Sequence, residues 1–307
     1  SDAANVDTVI ATASGALGAA IGVVTNIITT DHSTGVVVTG TSTDKSSLTG
    51  TSVYVDADAK EGISSLLIAA SGAQYAAVSA SVNVNRQLSD VSAAVDQTEV
   101  LGSFAQNANY LGRITTSAIT AAGSQYAAVP ISVVINYADN AVSSSVAHSI
   151  LRAEGQSASV GANRISEFSS LNVTASGAMY GAAAGLVNVN TIEGATSAEV
   201  NDSQVKAGQF SVNAENEDHL KVTDVTATGA IGSLGASVVV SYLKGSSVAN
   251  LRNSTVTADN LTVSSLQNHF VKGTVAFASG GLGTIGANVF SLVIGSGDNP
   301  FASNRQD

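Results

Sequence analysis

An alanine, a small residue and a glycine recur six times at nearly constant spacing, and this restricts the chain to repeat architectures. The copies are Ala13-Ser14-Gly15, Ala70-Ser71-Gly72, Ala121-Ala122-Gly123, Ala175-Ser176-Gly177, Ala227-Thr228-Gly229 and Ala278-Ser279-Gly280. Their glycines (Gly15, Gly72, Gly123, Gly177, Gly229, Gly280) are 57, 51, 54, 52 and 51 residues apart. Such a period marks one unit copied and stacked, each copy burying its faces against its neighbours. The sequence therefore reads as a single elongated repeat domain over 1–307. Units start near 6, 64, 115, 168, 221 and 272, and 295–307 reads as a loop or tail.

Within each unit, alternation points to strands. Leu171-Asn172-Val173-Thr174-Ala175 and Val225-Thr226-Ala227 alternate apolar and polar residues with the period of two of a strand with one buried face. Small residues follow, as in 177–185. A helix competes for these alanine-rich runs, but each internal glycine would cost it about 1 kcal/mol. Ten residues past the glycines a second strand begins. Thr25, Val82, Val133, Val187, Val239 and Phe290 align there, with Ile27, Val84, Ile135, Val189, Ser241 and Leu292 two residues on, so one face stays mostly apolar.

Two polar or aromatic columns repeat in phase. Asn85, Asn136 and Asn190 fall thirteen residues after their glycines. They read either as an amide ladder along the stack or as turn residues tolerating a left-handed backbone; sugar binding is a third reading. Tyr75, Tyr126 and Tyr180 fall three residues after theirs. They read as a stacked column in or along the solenoid, with a glycan-binding surface ladder as the functional alternative.

The rear of each unit carries Ser or Thr, any residue, then an aliphatic: Ser46…Leu48, Thr98…Val100, Ser149…Leu151, Ser203…Val205 and Ser254…Val256. Polar runs at Glu215–His219 and Asp259-Asn260 read as corners. Each repeat then makes two coils of about 26 residues or one wide coil, so that six copies at ~4.8 Å per rung span roughly 55 Å or roughly 29 Å. Pro130, aligned with Ser79, removes a ladder bond, so an edge, bulge or bend is expected there. The segment Thr30–Ser42 carries the extra residues of the longest period and reads as a loop suited to unit-specific recognition.

Composition bounds the function classes. With 44% hydrophobic and 11% charged residues the chain is not of the disordered type. It has no cysteine, which excludes disulfides and thiolate metal sites. Net charge is −11 and basic residues are scattered, which argues against nucleic acid as a partner. The longest apolar run, Leu17–Ile28, is shorter than the ~20 residues of a spanning helix, so no membrane insertion of this segment is expected. The chain starts at Ser1 and its one methionine is Met179, as in a trimmed or mature segment.

Reactive groups do not converge in sequence. His32, His148, His219 and His269 fall at different phases of the repeat, and Asp31-His32 is a polar loop rather than part of a triad. Glu154, Glu167, Glu193, Glu199 and Asp202 sit in turn-like or outward contexts. Asp56, Asp58, Glu61 and Glu215–Asp218 read as solvated acidic turns before they read as a cation site. No catalytic residue, metal or cofactor is expected.

The stretch from Val248 to Val263, with its Asn250-Leu251-Arg252-Asn253-Ser254-Thr255-Val256 centre, resembles the passenger regions of bacterial autotransporters and two-partner-secretion filamentous adhesins. Ala198–Ala207 is similar. The resemblance implies a right-handed parallel β-helix, export through an outer membrane and display on the bacterial cell surface. It further implies a non-enzymatic adhesive module attaching to host cells, other bacteria or itself through a receptor or glycan. Such passengers share no catalytic residues, and the period here is longer than their usual coils. A polysaccharide-active enzyme on a β-helix and a purely mechanical surface fibre or lattice protein are the alternatives.

Overall fold

A computed structural model describes residues 2–295, so all but the first residue of the tail expected over 295–307 lies outside the described residues. The described chain is built from long strands: β1 (Asp2–Ala16), β2 (Ala19–Thr39), β3 (Ser46–Ala73), β4 (Ala76–Asp96), β5 (Thr98–Ser124), β6 (Ala127–Ala147), β7 (Ile150–Ala178), β8 (Gly181–Asn201), β9 (Gln204–Gly229), β10 (Gly232–Arg252), β11 (Thr255–Gly280) and β12 (Gly283–Ile294). Odd strands form one six-stranded sheet, in the order 1-3-5-7-9-11, and even strands a second, in the order 12-10-8-6-4-2. Neighbours pair in parallel. The chain is a parallel β-solenoid in which each repeat makes one wide coil, one strand per sheet. The alanine-rich runs are strands, because their internal glycines disfavour a helix and neighbouring β-branched residues suit a sheet.

All six anchor glycines share one column: Gly15 pairs with Gly72, Gly72 with Gly123, Gly123 with Gly177, Gly177 with Gly229, and Gly229 with Gly280. The uneven steps come from local insertions. In the first unit the extra residues lie at Gly40–Lys45, with one more taken up between Thr49 and Ser52. The expected loop Thr30–Ser42 is thus mostly strand: Thr30 to Thr39 stay in register with Gln87 to Asp96. A bulge at Ala153–Ser157 lengthens the third step. Pro130 interrupts pairing with β8, as its missing N–H requires, but β6 is an interior strand and the register resumes unchanged at Ile131, so Pro130 marks neither a sheet edge nor a bulge.

Two connections alternate. A tight turn of two residues joins each odd strand to the next even strand, as at Gln74-Tyr75, Gln125-Tyr126 and Met179-Tyr180. At the opposite end, Gln97, His148, Asp202 and Asn253 occupy one column with φ of 48–50°. Ser or Thr follows each. Ser149 Oγ donates to the Ala147 carbonyl (2.6 Å) and accepts from Thr98 N–H (3.1 Å), and Ser203 repeats both bonds one rung on. The hydroxyl–x–aliphatic signature is therefore a corner cap whose aliphatic, Val100, Leu151 or Val205, enters the core. The runs Glu215–His219 and Asp259-Asn260 are no corners: both lie within strands β9 and β11.

The corner half of the coil has an apolar interior, where Val91, Val95, Val142 and Val146 face Phe104, Leu151, Val160 and Phe210. The half near the tight turns is inverted. Inward positions on β4 are Ser79, Ser81, Asn83 and Asn85, all buried, whereas Val82 and Val84 point outward. Leu171 is 43% exposed while Asn172 and Thr174 are buried. The alternating aliphatics expected to form a buried face thus clad the outside. Parity is the cause: an unbroken strand keeps one parity inward, and Val91, Ala93 and Val95 claim it. The path from the anchor glycine to β10 is one residue shorter, Gly229 to Gly232 against Gly177 to Gly181, so Val238 rather than Val239 pairs with Val187. Val239 and Phe290 accordingly belong to the inward column of Asn188, and Ser241 to that of Asn190.

Candidate functional site

The tyrosine column forms at the tight turns, on the outside. Ring centroids lie 5.5 Å apart between Tyr75 and Tyr126 and 5.3 Å apart between Tyr126 and Tyr180, with interplanar angles of 16° and 17°. Each ring is about half exposed. The rings cover one another's faces, leaving edges and hydroxyls to solvent. A sugar stacks on an aromatic face, so this geometry offers glycans the column's ends rather than a platform. Turn N–H groups bond up the stack, for instance Ala127 N–H to the Tyr75 carbonyl (3.1 Å) and Gly181 N–H to the Tyr126 carbonyl (3.0 Å).

The asparagine column is an interior ladder and not a set of turn residues. Asn85 Nδ2 donates to Asn136 Oδ1 and Asn136 Nδ2 to Asn190 Oδ1, each at 2.9 Å. Thr116 Oγ1 is a second donor to Asn136 Oδ1, at 2.8 Å. A second cluster surrounds Asp224, whose carboxylate accepts from Asn172 Nδ2 (2.7 Å) and from Asn188 Nδ2 (3.1 and 3.2 Å). Burial pushes the Asp224 carboxyl up to about 6, against the lowering effect of both amides.

Midway along the coil lies a fully buried ion pair. Arg164 Nη2 donates to Asp218 Oδ1 (2.8 Å), Nε to Asn216 Oδ1 (2.9 Å) and Nη1 to the Glu193 carbonyl (2.7 Å). His269 Nδ1 lies 3.0 Å from Asp218 Oδ2. Burial lowers the guanidinium's pKa and raises that of the Asp218 carboxyl, while the two charges oppose both shifts. Gly194 and Gly245 on the facing sheet make the room, since a Cβ at Gly245 would overlap the Asn216 amide and press on Arg164. Nearby, Glu61 is buried with the Tyr110 hydroxyl 3.4 Å away, and burial raises its pKa. These groups are closed to solvent, so their chemistry is structural. Column counting from the glycines is the signal that finds them, because Glu61, Gly112, Ser166, Asp218 and His269 occupy one column across β3 to β11.

The remaining charged groups stay apart. His32 faces inward and meets Asp2 (2.8 Å), while Asp31 points outward, so the two form no dyad. His148 meets Asp96 at the corner (2.9 Å), and His219 meets Glu217 on the outer face (2.6 Å). Asp56 and Asp58 accept from Asn107 and Asn109, both at 2.8 Å. On the open outer face of the odd sheet Arg113 Nε donates to Glu167 (2.8 Å). Glu154 lies in the bulge, Glu193 and Glu199 on the outer face of the even sheet, and Asp202 at the corner. Among the described residues no three His, Asp or Glu side chains are placed to hold a metal.

The anchor tripeptides form a shallow trough of about 580 Å³ across the outer face of the odd sheet, floored by the alanine and glycine columns from Ala70 to Gly280. No protein-family model, curated protein or solved structure matches the chain.

Proposed function

We propose that the chain is a structural and adhesive module of a bacterial surface protein, a section of an extracellular β-solenoid of the autotransporter or two-partner-secretion kind. The observation that carries this reading is the recurrence of six equivalent rungs that return to one register after each local bulge. The polar side chains of the interior hold rung to rung, while the outer faces repeat the same short pattern many times. Repetition of weak contacts along a rigid surface raises avidity without a specialised pocket. Such a surface suits attachment to a host or bacterial surface, or to itself.

Beads coated with the 307-residue protein should bind host epithelial cells or bacteria above uncoated beads. Replacing Gly40–Lys45 with a single Gln, the one-residue connection of the second unit, asks whether the one long corner loop is the contact. Loss of binding would place recognition in that loop, and retention would place it on the repeated faces. Absence of binding to any cell, together with release of reducing ends from a polysaccharide, would replace the adhesive reading with the enzymatic one.

A further inference from the structure

Charge is confined to one end of the coil. Six stretches contain no Asp, Glu, Lys, Arg or His: 8–30, 62–85, 114–138, 168–192, 225–243 and 273–295. Each is centred on a tight turn and runs into both sheets, and the register stacks all six at the same end. The result is a wedge without charge, roughly 30–40 Å deep at about 3.3 Å per residue. Asp224, which borders the fifth stretch, is buried inside.

The wedge is mostly apolar outside, with exposed Gln74 and Gln125 beside the tyrosines at its turns, and polar within. On the even sheet, the columns through Val82 and Val84 continue as Val133, Ile135, Val187 and Val189. Its convex edge carries Leu17, Tyr75, Tyr126, Tyr180, Ile231 and Leu282 in successive rungs, with Leu17 86% and Leu282 92% exposed. Many of the interior hydroxyls and amides bond to one another across rungs.

We infer that this uncharged edge is a membrane-docking surface whose partner is a neutral, zwitterionic phospholipid bilayer. A headgroup layer deforms around a protruding turn and needs no complementary groove. The turn backbone is already bonded, Tyr75 N–H to the Gly18 carbonyl (3.0 Å) and Gly232 N–H to the Tyr180 carbonyl (3.0 Å), so insertion strands few peptide groups. Tyrosine favours the headgroup boundary, its ring inward and its hydroxyl in water. The net charge of −11 and the lack of a cation on the ridge disfavour anionic headgroups and leave neutral ones. The ridge dips in turn-first, on the order of 5–10 Å, without crossing, as an interfacial element does. The inference does not rest on the adhesive reading, and its assay contains no cells.

The test is flotation of the full chain with phosphatidylcholine vesicles, with folding checked by circular dichroism. The wild-type chain and Gln209→Asp, a change on the outer face near the opposite end, should float equally. Tyr126→Asp combined with Ile231→Asp should lower the bound fraction at least tenfold. The wild-type chain has no tryptophan, so Tyr126→Trp, a conservative change, supplies a single reporter. Its emission should shift to the blue on adding vesicles even if the double variant misfolds. The inference is overturned by no flotation with phosphatidylcholine, by flotation only with phosphatidylserine, or by an unshifted emission spectrum of the Tyr126→Trp variant. It is equally overturned by a doubled mass in solution that the edge variant abolishes, which would make the ridge a contact between copies.

Discussion

Asp224 shows how individual side chains set the solution behaviour of this protein. It is fully buried, and two amides donate to its carboxylate, yet burial still lifts its pKa from 3.8 to about 6. A carboxyl with a raised folded-state pKa binds its proton more tightly in the fold. Its stabilising share is therefore complete below the unfolded value of about 3.8 and is lost as pH rises through about 6. Asp224→Asn, which mimics the protonated form, should gain about 2–3 kcal/mol over wild type at pH 8. The gain should shrink to about 1 kcal/mol or less near pH 4. Urea titrations of both proteins at the two pH values check this; a gain independent of pH would mean that Asp224 is not the titrating group. The Asn85–Asn136–Asn190 column was legible beforehand because three identical amides recur at one phase, although the sequence left a ladder and a set of turn residues equally open. The Arg164–Asp218 pair was not, because the two lie in different columns a full coil apart in sequence, and no residue type repeats in either column.

At the scale of elements, the corner decides where one coil ends and the next begins. Ser149 uses one hydroxyl to close its own corner and to receive the N–H of the rung before. Ser149→Ala should cost about 1–3 kcal/mol, because it leaves the buried Thr98 N–H without that acceptor. At the neighbouring position Gln97 holds φ near 50°, a region that costs a side chain roughly 1 kcal/mol and glycine almost nothing. Gln97→Gly should therefore raise stability by up to about 1 kcal/mol, opposite in sign to Ser149→Ala. Thermal unfolding of the two variants gives both signs in one experiment. The strands raise a second point. Val82 and Val84 look like core residues, and locally nothing contradicts that. They face outward because Val91, Ala93 and Val95, farther along the same unbroken strand, have the opposite parity and meet Phe104, Leu151 and Phe210 across the interior.

For the whole molecule, the wide coil changes the proportions. Strands of 21 to 29 residues make up most rungs, so the sheets extend about 70–95 Å along the strands. Six rungs at ~4.8 Å span only about 29 Å along the stack. X-ray scattering from the monomer should give a maximum dimension well above that of a compact body of this mass, set by strand length rather than by the number of repeats. A maximum near about 50 Å would contradict one wide coil per repeat, given the ~3.3 Å rise of each strand residue. What the sequence by itself determined is the recurrence: six units, all-β character, the glycine register, and the tyrosine and asparagine columns, because a stack must place equivalent residues over one another. Only the tertiary structure decided that each unit is a single coil, which parity faces inward, and where the charges meet. The first two outcomes depend on contacts across the interior between strands half a period apart and the third on contacts a full period apart, and no local window of sequence contains both partners.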